Sequence, residues 1–180
     1  MKQSAVFLDR DGVVNEVLTK RVKFVNQPAD VYLLEGVAEA IKICNDLGYK
    51  VFVVTNQGGI GLGYMNEENL HAVHKKMKEE IAKSDGHIDD IAYCPHKPDA
   101  NCACRKPKPE MIYTLARKHQ IDLQHSFMVG DREVDVEAGK KAGVKTILVG
   151  NRQTTSKADW TFPNLLAAAV FLCDLHKSKK

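Results

Sequence analysis

The chain alternates short apolar runs with longer amphipathic stretches. Residues 5–8 and 51–54 are each a run of four apolar side chains, which is typical of a buried strand. Between these runs, apolar residues recur every three or four positions from Val37 to Leu47, and Gly48 follows, so the spacing predicts a helix. The first elements are therefore predicted to be a strand, a helix and a second strand.

The same alternation continues along the rest of the chain, where Leu70, Val73, Met77 and Ile81 mark one face of a further helix. The other predicted elements are strands at 88–93, 127–129 and 146–149, helices at 110–119 and 134–142, and, in residues 160–175, a last helix at about 163–175. Repeated strand–helix units predict an α/β fold, a doubly wound parallel sheet with helices on both faces. We expect all 180 residues to form one domain. The polar stretch 151–157 is interpreted as a connection.

Composition and charge narrow the class of protein. Hydrophobic residues make up 44% of the chain and charged residues 27%, as in ordinary globular proteins. The net charge of +3 is too small to indicate a nucleic-acid partner. The longest apolar run, residues 165–173, is far shorter than the span of about 20 residues that a membrane helix needs. We therefore expect no nucleic-acid or membrane partner. The five cysteines are an odd number, and three of them lie between 94 and 104, which suits metal thiolates in a reducing compartment. We expect a cytoplasmic protein, a monomer with an oligomer as the alternative.

Two carboxylates follow the first predicted strand, in the segment Asp9-Arg10-Asp11-Gly12. Like charges this close together are costly unless a divalent cation neutralises them. One carboxylate can then attack phosphorus while the other gives a proton to the leaving group. A solvated Asp-Gly turn is the alternative for this segment.

Polar residues also follow the later predicted strands. Thr55 and the loop 56–59 offer a hydroxyl and backbone N–H groups to phosphate oxygens, although a simple turn has the same composition. Lys106 can stabilise developing negative charge or lie in a solvated loop. Asp131 can complete a magnesium site, and Asp135 can brace that site or position Lys106. Alternatively, either acid can cap a helix. Because the strand ends of one parallel sheet meet at one edge, these groups are predicted to share a pocket.

A short segment between residues 94 and 104 contains four soft metal ligands, namely Cys94, His96, Cys102 and Cys104. Three thiols and an imidazole in one loop suit a closed tetrahedral zinc site, whose role would be structural because no ligand position is open to water. Reduced surface cysteines are the alternative. Cys44 and Cys173 lie in helical patterns and are interpreted as core residues.

Taken together, Asp-x-Asp-Gly, Thr-Asn, Lys-Pro and Gly-Asp-x-x-x-Asp, within residues 5–150, resemble the motifs of the haloacid-dehalogenase-like (HAD) phosphohydrolases. Cys-x-His followed by Cys-x-Cys-Arg-Lys-Pro is similar to the zinc-containing branch that includes heptose-bisphosphate and histidinol-phosphate phosphatases. The resemblance implies a magnesium-dependent phosphomonoesterase without a large cap domain, acting on a small phosphorylated sugar. Residues 7–15, Gly59-Ile60 and Gly63-Tyr64 favour removal of the 7-phosphate of heptose bisphosphate, with histidinol phosphate as the alternative substrate. Leu62 departs from the heptose pattern, in which a cation is common.

The resemblance also implies a role for individual residues. Asp9 would form an aspartyl-phosphate, Asp11 would act as acid and then base, Thr55 would hold the phosphoryl group and Lys106 would offset its charge. Magnesium would be bound by Asp9, the backbone carbonyl of Asp11, and Asp131. The expected substrate-binding residues are Asn15, Asn56, Gln57, Gly58, Arg105 and Arg132. The residues themselves leave two other classes open, a receiver-like phospho-acceptor of signalling and a zinc-organised binding module.

Overall fold

The computed structural model describes residues 3–152 and 155–178 of the chain. Its strands are β1 (Ala5–Leu8), β2 (Lys50–Asn56), β3 (Asp90–Cys94), β4 (Phe127–Gly130), β5 (Lys145–Val149) and β6 (Trp160–Phe162). Its α-helices are α1 (Val37–Asp46), α2 (Glu67–Ala82), α3 (Glu110–His119), α4 (Glu133–Ala142) and α5 (Leu165–Lys177). The strands form one parallel sheet in the order β3-β2-β1-β4-β5-β6, which confirms the predicted doubly wound α/β class.

The two faces of the sheet bury different helices because alternate residues of a strand point to opposite sides. In β1, Val6 and Leu8 belong to the core formed with α1, α2 and α5, whereas Ala5 and Phe7 belong to the core formed with α3 and α4. All four of these side chains are at most 1% exposed. Burial on both faces explains why residues 5–8 of β1 and 51–54 of β2 are continuous apolar runs.

Local sequence determines where several helices begin and end. Asn66 caps α2 by accepting a hydrogen bond from the backbone N–H of Asn69 at 2.7 Å, and Asn164 caps α5 in the same way. Helix α4 ends at Gly143, which adopts a positive φ of 81°. Among the described residues, no helix combines the length and the apolar character that crossing a membrane requires.

The clearest difference from the predicted elements is β6. Within residues 160–175 the sequence pattern predicts a helix at about 163–175 and no strand. In the structure Trp160–Phe162 pair with β5 in the parallel sheet, and the helix begins at Leu165. A three-residue strand at the sheet edge is too short to show an alternating pattern, although its aromatic and β-branched composition suits a strand. Strand β3 likewise begins two residues later than predicted, at Asp90.

Candidate active site

The strand order brings four of the predicted residues to one edge of the sheet. Strand β1 lies between β2 and β4, so Asp9, Thr55 and Asp131 leave neighbouring strands at their carboxyl ends. Lys106 reaches the same place from the loop before α3, where its Nζ donates to Oδ1 of Asp9 and to the carbonyl of Val54, each at 2.8 Å. All four of these side chains are at most 3% exposed.

Lys106 is held by a second carboxylate as well. Its Nζ lies 2.7 Å from Oδ1 of Asp135, and both side chains are almost completely buried. Burial opposes the charged form of Lys106, but Asp135 and Asp9 outweigh that effect and raise its pKa. Lys106 is therefore a permanent buried cation at the edge of the acidic group.

The acidic group itself has the composition of a magnesium site. Carboxylate oxygens of Asp9, Asp131 and Asp135 lie within 4.8 Å of one another. Oδ2 of Asp9 and Oδ1 of Asp131 are buried and have no hydrogen-bond partner among the described residues. Unpaired buried oxygens are costly, and a hard divalent cation is the ligand that satisfies them. The residues therefore fit a magnesium ion.

Asp9 and Asp131 are both harder to ionise than a free carboxyl group. Burial raises the pKa of Asp9 to about 7, although Lys106 opposes the rise. Burial also raises the pKa of Asp131, against the opposing effect of Arg152, whose Nη1 donates to Oδ2 of Asp131 at 2.5 Å. A bound cation stabilises the carboxylate form and so lowers such pKa values again.

Two glycines make room for the acids. A Cβ atom on Gly12, which has a φ of +88°, would lie 2.3 Å from Oδ2 of Asp131. A Cβ atom on Gly130 would lie 2.1 Å from the Cβ of Asp135. Both contacts are shorter than any side chain tolerates, so glycine at these two positions is a requirement of the acidic group.

Asp11 lies beside this group and its carboxylate is bound by three side chains. Arg10 donates through Nε and Nη2 at 2.9–3.0 Å, Asn15 donates to Oδ1 at 2.9 Å and Gln57 donates to Oδ2 at 3.1 Å. Burial opposes ionisation of Asp11, but Arg10 and the other donors outweigh it and lower the pKa. Asn15 is itself completely buried, so it contacts the acid rather than the open cleft.

Asn56 and Gln57, at the end of β2, form hydrogen bonds to the other groups of the site. The Nε2 atom of Gln57 donates both to Asp11 and to Oγ1 of Thr55, the latter at 2.7 Å. The side chain of Asn56 makes two hydrogen bonds to the backbone of Lys106, at 3.0 and 3.1 Å. Asn56 therefore fixes the lysine loop, and Gln57 couples the acid to the hydroxyl.

An open cleft of about 340 Å³ lies in front of Asp11. Four arginines line it, Arg10, Arg105, Arg132 and Arg152. Gly58 lines it too, and its Cβ position would lie 3.2 Å from Nη1 of Arg105. Among the described residues that line it, Asp11 carries the single carboxylate, and Arg10 already neutralises that charge. The cleft therefore favours an anionic ligand.

The four predicted zinc ligands also lie together. The separations among their sulfur and Nδ1 atoms are 3.4 Å for Cys94–Cys102, 3.6 Å for Cys94–His96, 3.3 Å for His96–Cys104 and 3.6 Å for Cys102–Cys104. Tetrahedral zinc with bonds of about 2.0–2.3 Å places its ligands about 3.5–3.8 Å apart. The cluster therefore has the composition and spacing of a zinc site, and it lies directly before Arg105 and Lys106.

Three residues of the site were missed by the sequence analysis. Arg10 was passed over as part of the acidic segment, although a cation between two acids was a usable signal. His74, which lies 3.4 Å from Nη1 of Arg10, comes from a helix whose sequence has no motif. Arg152 lies in the stretch interpreted as a connection.

Comparison with known proteins agrees with this geometry. The model of the HAD-hydrolase-like family matches residues 103–170. The chain is 42% identical over 146 residues to D-glycero-beta-D-manno-heptose-1,7-bisphosphate 7-phosphatase of Helicobacter pylori, covering 81% of this chain and 82% of that protein. It is 35% identical to D-glycero-alpha-D-manno-heptose-1,7-bisphosphate 7-phosphatase of Photorhabdus laumondii, over 87% of both chains. The structure of D,D-heptose 1.7-bisphosphate phosphatase from B. bronchiseptica, complexed with magnesium and phosphate, has a TM-score of 0.87 and 34% identity and covers 96% of this chain and 99% of that chain.

The parallel sheet and the acids at its edge define the protein as a HAD-like hydrolase with phosphatase activity, as predicted. At the identity and coverage just given, the chain belongs to the D-glycero-D-manno-heptose-1,7-bisphosphate 7-phosphatase family within that class.

Proposed function

We propose that this phosphatase removes the 7-phosphate of D-glycero-D-manno-heptose 1,7-bisphosphate through an aspartyl-phosphate on Asp9. The observation that carries the proposal is the pair of unpartnered buried oxygens on Asp9 and Asp131, which lie beside Lys106 at the strand ends. The substrate is inferred from the relatives, which are named heptose-1,7-bisphosphate 7-phosphatases.

In the first step, a carboxylate oxygen of Asp9 attacks the phosphorus atom. The bond from phosphorus to the ester oxygen breaks, and the leaving oxygen takes a proton from Asp11. Thr55 donates its hydroxyl to a phosphoryl oxygen, and Lys106 offsets the negative charge that accumulates there. Since phosphoryl transfer depends on positioning and charge neutralisation, these fixed, buried groups are suited to it.

In the second step, Asp11 takes a proton from water, and the water oxygen attacks the same phosphorus atom. The bond to Asp9 breaks, which releases phosphate and restores both carboxyl groups. Dividing hydrolysis into two displacements replaces one difficult step with two easier ones. Asp11 is ionised in the free enzyme because its pKa is lowered, and the nearby negative charge of a bound phosphoryl group raises that pKa toward the acid form.

Magnesium would be held by Asp9, Asp131 and the backbone carbonyl of Asp11, and it would neutralise the charge of the phosphoryl oxygens. Asp135 would act by bracing Lys106, to which it is already paired. The zinc would be structural, held by the cluster in residues 94–104, and would fix the segment that carries Arg105 and Lys106.

The cleft provides the rest of the specificity. Arg105, Arg132 and Arg152 would bind the phosphate that stays on the sugar, because guanidinium groups pair with phosphate in a bidentate geometry. All the groups named belong to one chain, so a monomer would suffice for activity. None of the five cysteines forms a disulfide, and reduced cysteines together with a thiolate metal site suit the reducing cytoplasm.

Phosphate release from heptose 1,7-bisphosphate and from histidinol phosphate, with and without Mg²⁺, tests the proposal. We expect kcat/KM to favour the bisphosphate by at least about 100-fold, since the arginine-lined cleft would lack its second phosphate with the other ester. Asp9→Asn and Asp11→Asn should abolish turnover, whereas Asp46→Asn, on the exposed end of α1, should not change it. A preference for histidinol phosphate would overturn the substrate assignment, and full activity of the Asp9 variant would overturn the mechanism.

A further inference from the structure

His74 lies on α2, outside the group of residues that would touch the substrate. Its side chain is 6% exposed, and its Nε2 atom is 3.4 Å from Nη1 of Arg10. Arg10 is 1% exposed, so each of its N–H groups needs a partner within the protein. Nε and Nη2 are used by Asp11, which leaves Nη1 directed toward the imidazole.

The imidazole can receive this hydrogen bond only in its neutral form. Burial and, to a smaller extent, the positive charge of Arg10 together lower the pKa of His74 to about 3. A neutral ring carries one proton and one lone pair, so Nε2 accepts from Arg10 while Nδ1 carries the proton.

Neighbouring elements hold the ring in place. The centroid of the His74 ring lies 6.1 Å from that of Tyr93 on β3, and the hydroxyl of Tyr93 is 3.2 Å from Nε2 of His71, one turn earlier on α2. The chain of contacts therefore runs from a helix and a strand of the scaffold through His74 and Arg10 to Asp11.

We infer that His74 is a positioning residue that acts through Arg10 to aim Oδ2 of Asp11 at the leaving oxygen of the substrate. The inference rests on the acid role proposed above for Asp11. Oδ1 already accepts from Nε and Nη2 of Arg10 and from Asn15, whereas Oδ2 accepts from Nη2 and from Gln57, so Oδ2 has the room for a proton. Without an acceptor at position 74, a buried N–H of Arg10 would lose its partner, and the guanidinium would turn away from the acid.

A change in leaving group separates positioning from a general structural effect. 4-Nitrophenolate leaves without a proton, whereas the alkoxide of a simple alkyl phosphate needs one. We expect His74→Leu to lower kcat/KM for the alkyl ester about tenfold and for 4-nitrophenyl phosphate less than about twofold, since general acid catalysis is worth about 10²–10⁴ and misplacement forfeits part of it. His74→Gln, whose Oε1 can replace Nε2 as the acceptor, should return the alkyl ester to within about threefold of the wild type.

His87→Leu is the matched control, because His87 is 71% exposed and pairs with Asp89 rather than with the site. It should leave both esters unchanged. An equal fall for both esters in His74→Leu, or no fall for either, would overturn the positioning role. If the wild-type enzyme hydrolyses the alkyl ester and 4-nitrophenyl phosphate but not heptose bisphosphate, the proposed substrate is refuted. The comparison of the two esters would still test the role of His74.

A second readout does not depend on activity. The Nε–H signal of Arg10 in ¹⁵N NMR should be protected from hydrogen exchange in the wild type and in His74→Gln, and exposed to exchange in His74→Leu. Equal protection in all three proteins would contradict the inference even if the enzyme turned over no ester at all.

Discussion

Lys106 and Asp135 form an ion pair, 2.7 Å from Nζ to Oδ1, in which both side chains are at most 1% exposed. Asp9 makes a second contact with the same Nζ atom at 2.8 Å. The lysine thus compensates two buried carboxylates at once, and the charge balance of the site depends on it.

Removing that cation should destabilise the protein as well as inactivate it. Lys106→Met keeps the length of the side chain but leaves Asp9 and Asp135 without their partner, and breaking a buried pair costs about 3–5 kcal/mol. Lys42→Met, which removes the exposed pair with Asp46, should cost less than about 1 kcal/mol. Urea unfolding of the two variants measures the difference, and equal stabilities would show that the buried pair is not needed for folding.

Gly12 gives a test of the acidic group that does not alter a charge. Gly12→Ala should weaken Mg²⁺ binding at least tenfold, because the new Cβ would displace Asp131. Gly48→Ala is the control, since Gly48 also has a positive φ, +83°, but nothing lies within 4 Å of its Cβ position. Both variants should lose about 1–2 kcal/mol of stability from backbone strain.

Titration calorimetry of the two glycine variants with Mg²⁺ separates the effect of backbone strain, which both variants share, from the contact between the new Cβ and Asp131, which only Gly12→Ala has. The account requires that only Gly12→Ala loses affinity for the ion. Unchanged affinity in Gly12→Ala would mean that Asp131 does not hold the magnesium.

The cluster of Cys94, His96, Cys102 and Cys104, which we propose to bind zinc, should contribute to stability rather than to chemistry. We expect about one equivalent of zinc in the reduced protein and a lower melting temperature for Cys102→Ser, because a metal bound only by the folded state stabilises that state. Cys173→Ser, a cysteine on α5 away from the cluster, should retain both zinc and melting temperature. Elemental analysis and thermal unfolding test this, and protein purified without zinc at full stability would refute it.

Buried His74 should make stability depend on pH. Its pKa is about 3 in the folded protein and near 6.5 when unfolded, so between these values the unfolded chain binds one more proton. The free energy of unfolding therefore rises with pH up to about 6.5 and falls as the solution is acidified, by up to about 1.4 kcal/mol per pH unit. His74→Gln should remove this part of the slope, and His87→Leu should not. Identical slopes in His74→Gln and the wild type would show that His74 is protonated alike in both states.

Much of the site could be located from the sequence because of the geometry of parallel sheets. Asp9, Thr55 and Asp131 are far apart in the chain, but each lies at the carboxyl end of a buried strand, and the ends of such strands meet. The three cysteines and the histidine lie within residues 94–104, and so short a segment keeps the four side chains close together. In both cases the order of residues along the chain determines which side chains lie together in the fold.

The remaining features depend on contacts that no pattern encodes. Arg152 pairs with Asp131 across 21 positions from a polar stretch, and His74 meets Arg10 across 64. Asn15 and Asn56 are predicted to bind substrate, which stays a prediction. Their contacts with Asp11 and with the backbone of Lys106 are visible only in the structure. Strand β6 depends on pairing with β5 rather than on its own three residues.

The covalent intermediate is the most direct test of the whole account. Enzyme quenched in acid during turnover and reduced with borohydride should contain homoserine at position 9, since the hydride reduces an acyl phosphate but not a free carboxylate. Asp9→Asn should show no such product. Homoserine at another position, or none in wild-type enzyme quenched while phosphate is being released, would contradict attack by Asp9.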